Sequence, residues 1–174
     1  QKKARIIAST FSLDPLGFGI INKNFFLHLS DEIGIPVLSQ LISTIGGLAY
    51  APSNSKVESM FYFLKRGLGK KRTLGRCVFL EGETEFILKR EIRNLPLPIQ
   101  VVPGQRIFWD NRFLLKFSGT GGTSTLRPLM GVDLKRISKV YSPRIKKNVL
   151  SEVIQTLPAL YYQKEFYCLP EWAI

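Results

Sequence analysis

The sequence predicts an α+β protein with a helical N-terminal half and a strand-rich, antiparallel C-terminal half that also contains short helices. Two patterns support this prediction: apolar residues recur at helical spacing up to about residue 72, and the period changes to two from Thr73 onward. A hydrophobic content of 45% over 174 residues is ample for a packed core. We therefore expect two domains, a helical domain at residues 1–72 and a mixed, β-rich domain at residues 73–174.

Two helices are predicted after residue 29. The first has Ser30 as its N-cap, acidic residues in its first turn, and Gly46-Gly47 at its end. The second is capped by Ser53 or Ser55 and leads directly into a basic segment, where cations complement the helix dipole. Residues 1–72 are accordingly expected to be helical.

Period-two patterns predict hairpins in the second domain. One strand is expected over residues 74–80 and its return strand over 84–91, with a turn between them. A second hairpin turns at Asp110-Asn111, and we expect Trp109 and Phe113 to anchor it in the core.

The end of the chain is predicted to begin with a loop and to finish with strands. The phrase SGTGGTSTLRPL indicates a flexible loop, and two short helices separated at Ser142-Pro143 follow it. The tail alternates in the manner of a final hairpin or an edge strand.

The net charge is strongly positive, with 25 Lys and Arg against 13 Asp and Glu, or +12. Such a charge favours polyanionic partners, either nucleic acid or an anionic membrane. No apolar run is long enough to span a bilayer, so we expect no membrane partner. Cys77 and Cys168 lie far apart in apolar surroundings, which predicts two buried thiols in a reducing compartment, the cytoplasm.

Two basic segments are candidate phosphate-binding sites. Lys and Arg neutralise phosphates and release counterions, which gives affinity with little sequence information. The first basic segment contains Lys65, Arg66, Lys70, Lys71, Arg72 and Arg76, and the second contains Lys135, Arg136, Lys139, Arg144, Lys146 and Lys147. The alternative is a solvated basic surface, which any protein of this charge carries.

No self-contained active site is visible in the sequence. The first basic segment is not a P-loop, because Gly69-Lys70 is followed by Lys71 rather than by Ser or Thr. The single histidine, His28, lies between two leucines, which is typical of a structural residue. The glutamates of the predicted turn at 81–85 are expected to be solvated rather than to hold a cation. We therefore predict no catalytic residue and no metal site in this chain.

Several short phrases, in this order, resemble the C-terminal region of the tRNA(Ile)-lysidine synthetases. In that family the phrases are similar to T-L-G-G-C, R-E-x-R, P-G, W-D-G-R-F and L-P-A-L-W. Here they read Thr73-Leu74-Gly75-Arg76-Cys77, Arg90-Glu91-Ile92-Arg93, Pro103-Gly104, Trp109-Asp110-Asn111-Arg112-Phe113 and Leu157-Pro158-Ala159-Leu160. The resemblance covers about residues 25–174. Asn111 stands where the family phrase has Gly, and Tyr161 stands where Trp is common.

The resemblance implies a bacterial ligase of tRNA modification. Members of the family use ATP and Mg²⁺ to adenylate C2 of the wobble cytidine of an isoleucine tRNA, and lysine then displaces AMP to give lysidine. Their ATP-pyrophosphatase domain carries an S-G-G-x-D-S loop, whereas the only S-G pair here, Ser118-Gly119, is followed by Thr120. The resemblance thus implies that this chain is the tRNA-binding part of the enzyme. It would be inactive alone and without a cofactor of its own, while ATP and Mg²⁺ would bind the N-terminal domain that it lacks.

The implied partners are the tRNA(Ile) with a CAU anticodon and the N-terminal catalytic domain, in the cytoplasm. Both basic segments are expected to contact tRNA phosphates. Docking of the catalytic domain implies an exposed apolar surface here, through which two copies of this chain could also pair as a homodimer. The alternative function, from another class, is a non-enzymatic protein-interaction or structural module whose basic face is incidental.

Overall fold

The computed structural model describes residues 2–67, 69, 71–117, 122–133, 147–169 and 172–173. It divides the chain into two compact units, Gln1–Glu91 and Ile92–Ile174. Helices combined with antiparallel sheets confirm the predicted α+β class. The division differs from the boundary expected after residue 72, because the strands from Arg72 to Arg90 belong to the same sheet as strands near the N-terminus. The change of period marks where strands follow helices within one unit.

The described helices of the first unit are α1 (Lys2–Thr10), α2 (Lys23–Leu27), α3 (Asp31–Gly46) and α4 (Asn54–Arg66). Ser30 is the N-cap residue of α3, although its side chain makes no capping hydrogen bond. Gly47 ends α3 in the left-handed conformation, with φ 61°, which confirms the predicted stop. Ser53 precedes α4, whose last turn carries Lys65 and Arg66 as predicted.

The strands of the first unit are β1 (Phe11–Asp14), β2 (Phe18–Asn22), β3 (Arg72–Leu74), β4 (Cys77–Glu81) and β5 (Glu85–Arg90). They form an antiparallel sheet in the order β1-β2-β5-β4-β3.

Two predictions fail in this sheet. The expectation of helix throughout residues 1–72 is wrong for β1 and β2, because β2 gains a full hydrogen-bonded pairing with the central strand β5. The expected single strand at 74–80 is also wrong: Gly75 and Arg76, with φ of 58° and 59°, form a tight turn between β3 and β4.

The core of the first unit lies between α3, α4 and the sheet. On α3, Leu38, Ile42 and Ile45 are buried at helical spacing. The ring of Phe26 packs edge-to-face on the ring of Phe61, with centroids 5.1 Å apart. This packing holds α4, which carries Lys65 and Arg66 of the first basic segment, in place.

The second unit contains short antiparallel strands and one described α-helix. Its elements are β6 (Ile99–Val101), β7 (Arg106–Trp109), β8 (Phe113–Lys116), β9 (Ser124–Pro128), a 3₁₀ turn (Gly131–Asp133), α5 (Lys147–Ile154), β10 (Pro158–Tyr162), β11 (Glu165–Cys168) and β12 (Trp172–Ala173). One sheet has the order β11-β10-β9-β6, and the other has the order β12-β8-β7.

The hairpin predictions for the second unit are confirmed. Asp110 and Asn111 have φ of 50° and 53° in the turn between β7 and β8, and Trp109 and Phe113 are buried beside it. The final hairpin is β10–β11. The loop expected over SGTGGTSTLRPL is wrong for Ser124–Pro128, which pairs with strands on both sides as β9. Of the two expected helices, α5 matches the second, and the first lies outside the described residues.

Within the described ranges, no helix combines the length and the apolar character needed to cross a membrane.

Candidate nucleic-acid interface

A surface groove of about 610 Å³ follows α4 and β3 in the first unit. Its lining combines cations and hydroxyl groups with an apolar floor, and it includes no carboxylate. The lining residues are Ser55, Lys56, Ser59, Met60, Phe63, Lys71, Arg72, Thr73 and Leu74. Lys, Arg, Ser and Thr side chains are the common donors to phosphate oxygens. The chemistry of this groove therefore suits a sugar–phosphate backbone.

The helical repeat explains the α4 side of the groove. Lys56, Ser59 and Phe63 are separated by three and four residues, so they share one face of the helix. The adjacent face buries Val57 and Leu64 in the core. Burial of one face of α4 therefore fixes the direction in which the groove face points.

The β3 side of the groove carries an oriented arginine. The guanidinium carbon of Arg72 lies 3.7 Å from the centroid of the Phe63 ring, in cation–π geometry. Arg72 is exposed, and it pairs on the backbone with Phe79 of β4. Stacking restricts the guanidinium to a plane and leaves N–H donors directed to its edge, as recognition of an anion requires.

The carboxylate of Glu81 fixes the backbone between α4 and β3. Glu81 at the end of β4 accepts a hydrogen bond from the backbone N–H of Gly69 at 3.0 Å. The other carboxylate oxygen of Glu81 lies 2.6 Å from Nζ of Lys23. The carboxylate is therefore engaged with the chain around it, and it holds the backbone that leads into Lys71.

Lys65 differs from the other described residues of the first basic segment, because its ammonium makes polar contacts within the protein. The ammonium of Lys65 donates to the carbonyl oxygen of Leu29 at 2.6 Å and lies 3.7 Å from Asp31 Oδ1. It also lies 4.7 Å from the centroid of the Phe61 ring. Lys65 thus holds the C-terminal end of α4 to the start of α3.

The remaining cations of the first basic segment face solvent where they are described. Arg66 is exposed in the last turn of α4, and Arg76 is exposed in the turn between β3 and β4. Lys71 and Arg72 line the groove. Lys70 lies outside the described residues.

The second basic segment lies almost entirely outside the described residues. This applies to Lys135, Arg136, Lys139, Arg144 and Lys146. Lys147 begins α5. Contact of these residues with tRNA phosphates stays a prediction.

Sequence reasoning missed Lys56, Ser55 and Ser59, which complete the groove. The basic segments were defined by adjacency along the chain, whereas Lys56 precedes Lys65 by more than two helical turns. The signal that could have found it is the spacing of Lys56, Ser59 and Phe63 along one helix face.

A second cavity in the first unit, of about 550 Å³, lies among α1, α2 and the start of α3. Ile6, Phe25 and Ile33 contribute apolar surface, and His28 and Arg5 contribute polar groups. Across the described part of the chain, no three His, Cys, Asp or Glu side chains gather in a way that could hold a metal ion.

Curated tRNA(Ile)-lysidine synthases match this chain. The one from Rhizobium meliloti (strain 1021) is 36% identical over 86 residues, which are 49% of this chain and 19% of that protein. The one from Wolbachia pipientis wMel is 25% identical over 162 residues, which are 92% of this chain and 37% of that protein. The one from Mesorhizobium japonicum is 29% identical over 112 residues, which are 64% of this chain and 24% of that protein.

These matches confirm the resemblance predicted from the ordered phrases. The chain spans between 19% and 37% of the length of these relatives. No family model matches the chain, and no solved structure matches it significantly.

Proposed function

We propose that this chain, a relative of the tRNA(Ile)-lysidine synthases, holds tRNA(Ile) for the lysine-ligating reaction that the name of those enzymes describes. The observation that supports this role is the groove between α4 and β3. It offers Lys56, Lys71 and Arg72 beside three hydroxyl groups and no carboxylate. Charges of one sign in a concave surface concentrate the electric field and favour a polyanion.

In this proposal the groove binds the sugar–phosphate backbone rather than the bases. Its donors are cationic and hydroxyl groups, which position a nucleic acid without reading its sequence. RNA helices are recognised largely by shape, by phosphates and by 2′-hydroxyl groups, and Ser and Thr side chains suit the last of these. Selection of one tRNA over another would then rest on the fit of the whole molecule or on contacts elsewhere.

The proposal assigns ATP and Mg²⁺ to the ATP-pyrophosphatase domain of the family, whose S-G-G-x-D-S loop has no counterpart in this sequence. In this view the partners of the chain are the tRNA with a CAU anticodon and that domain. The ligase activity would require both parts together in the cytoplasm, and this chain alone would be inactive.

The test is a salt series of binding by the double variant Lys56→Ala/Lys71→Ala. We expect affinity to fall at least about tenfold at low salt. The slope of log K against log salt should decrease by about 1 for each phosphate that the variant no longer neutralises. The fall in affinity should be similar for tRNA(Ile) and for initiator methionine tRNA, since phosphates are common to both.

The matched control is Arg5→Ala/Lys164→Ala, which removes the same charge from two exposed positions outside the groove. The proposal predicts that this control keeps most of the affinity of the original chain. Equally weakened binding in both double variants would show that the groove contributes no more than the rest of the basic surface. Failure of the folded original chain to bind either tRNA at low salt would contradict the tRNA-holding role.

A protein-interaction role is the second candidate, and the 550 Å³ cavity beside α2 favours it. Phe25 lines that cavity and is 52% exposed. Exposed aromatic surface of this kind marks docking sites for proteins. The groove variant Lys56→Ala/Lys71→Ala separates the two candidates, because a protein-interaction role gives the groove no special part in tRNA binding.

A further inference from the structure

The outward face of the β7–β8 hairpin in the second unit has an unusual composition. Arg106 and Lys116 lie directly opposite each other across the two strands, as do Phe108 and Leu114. All four are exposed, and Phe108 is 60% exposed. The inward face carries Trp109, Phe113 and Leu115, which already anchor the hairpin in its core.

This arrangement adds little stability within the hairpin. Like charges directly opposite on neighbouring strands repel. In the described part of the chain, neither Arg106 nor Lys116 forms an ion pair that would offset the repulsion. Because Phe108 is 60% exposed, its ring gains only part of the energy that full burial would provide. Local rules of stability are broken in this way chiefly at functional sites.

We infer that this face, formed by Arg106, Phe108, Leu114 and Lys116, binds unpaired RNA by stacking a base on the Phe108 ring. Residues two apart on a strand are separated by about 6.6–6.8 Å and point to the same side. Arg106 therefore stands beside the ring on β7, and Lys116 stands in the same position beside Leu114 on β8. Both cations lie on the same side of the Phe108–Leu114 pair, where they would take neighbouring phosphates of the bound strand.

The chemistry of the face favours RNA over a protein partner. Single-stranded nucleic acid is bound by aromatic platforms within cationic grooves, because every base offers a π face and every link offers a phosphate. Exposed aromatic side chains on a sheet surface are a recurring form of such platforms. On the described strands β7 and β8 this face carries two cations and no acidic residue, so its charge there complements a polyanion.

The inference rests on the proposed tRNA role and adds a second, different contact. The groove in the first unit would bind phosphates in paired or unpaired RNA alike, whereas the Phe108 face requires an unstacked base. Duplex RNA therefore reports on the groove, and a single strand reports on both sites.

The experiment measures binding of the full chain to a short single-stranded RNA and to a duplex RNA by fluorescence anisotropy. The single strand carries one 2-aminopurine, whose emission is quenched when it stacks. We expect Phe108→Ala to weaken single-strand binding by roughly 5- to 100-fold and to abolish the added quenching. Phe108→Trp should restore both, and duplex binding should change less than about twofold in either variant.

The matched control is Tyr167→Ala, which removes another highly exposed aromatic ring of the second unit from a different sheet. It should leave both affinities unchanged. Unchanged single-strand affinity in Phe108→Ala would overturn the inference, as would equal weakness in Phe108→Ala and Phe108→Trp. A face used for docking a protein gives the first of these results. The groove variant Lys56→Ala/Lys71→Ala tests the proposed function separately, because it should weaken duplex binding whatever happens at Phe108.

Discussion

At the scale of single residues, Arg76 places a charged side chain at a backbone conformation that disfavours it. Its φ of 59° places an arginine in the left-handed region, where the family phrase T-L-G-G-C has Gly. Side chains other than Gly, Asn and Asp are rarely found there, because Cβ crowds the following carbonyl oxygen. Arg76 is exposed, so burial of its side chain does not repay this cost. The expected compensation is a contact with an anion.

Arg76→Gly should therefore stabilise the chain while weakening its hold on tRNA. Relief of the left-handed strain, less the added chain entropy of Gly, predicts a gain of about 0.5–1 kcal/mol in the free energy of unfolding. With one phosphate fewer neutralised, the salt slope of binding should fall by about 1. Arg76→Ala is the control, since it removes the charge and keeps the strain. A stable Arg76→Gly variant with full tRNA affinity would exclude Arg76 as a contact.

Tyr161 is a buried tyrosine whose surroundings change the pKa of its hydroxyl. Burial raises the pKa of its hydroxyl above the ordinary value of 10.0. The hydrogen bond from the backbone N–H of Met130 opposes this, and the bond that the hydroxyl donates to Asp133 at 3.0 Å adds to it. A raised pKa means that folding favours the protonated phenol. The stability that it provides is complete below about pH 10 and is lost as pH rises through the higher pKa of the folded state.

We expect Tyr161→Phe to lower the free energy of unfolding by roughly 1–2 kcal/mol at about pH 8, because it leaves the Met130 N–H without its acceptor. The difference from the original chain should shrink progressively above about pH 10. Urea denaturation at several pH values measures it, with Tyr167→Phe as the control for an exposed tyrosine. A constant difference from about pH 8 to about pH 11 would show that ionisation of Tyr161 does not contribute.

At the scale of elements, the end of α3 and the turn between β3 and β4 are fitted together without a side chain between them. A Cβ added to Gly46 would lie 2.0 Å from the carbonyl oxygen of Gly75 and 3.3 Å from Cys77 Sγ. The first neighbour is backbone, which cannot rotate away. The two adjacent glycines thus have different roles. Gly47 supplies the left-handed cap, and Gly46 leaves the space for close packing.

Gly46→Ala should cost about 3 kcal/mol in the free energy of unfolding, since α3 or the turn must move to make room for the methyl group. Circular dichroism in the far ultraviolet during denaturation follows mainly the first unit, because α1 to α4 contain most of the described helical residues. Gln40→Ala on the exposed face of α3 is the control and should change stability by less than about 0.5 kcal/mol. Similar stabilities for the two variants would contradict the close packing described here.

The elements that could be predicted are those with local chemical signals. Gly46-Gly47 and Asp110-Asn111 were readable because caps and tight turns depend on a few adjacent residues. β1 and β2 were missed, although Asp14 and Gly17 form a turn between them in which the N–H of Gly17 donates to the Asp14 carbonyl at 2.8 Å. These strands depend on pairing with β5, which lies far later in the chain and which no local window contains.

At the scale of the whole molecule, cations that are adjacent along the chain are not all grouped together in space. The net charge of +12 agrees with a groove whose described lining residues include Lys56, Lys71 and Arg72 and no carboxylate. The cations of one basic segment nevertheless divide between the interior contacts of Lys65 and the solvent-facing groove. Lys56 joins the groove through the helical repeat and through the pairing of β3 with β4. A site assembled by folding can be predicted only when the fold is known.

The division of the chain at Glu91 gives each unit its own optical or chemical reporter. Both tryptophans, Trp109 and Trp172, belong to the second unit, so intrinsic fluorescence follows the unfolding of that unit alone. The first unit has no tryptophan, but the fully buried thiol of Cys77 becomes reactive only when its core opens. In a Cys168→Ser background, thiol labelling and fluorescence would therefore assign the damage caused by any substitution to one unit or the other in a single sample.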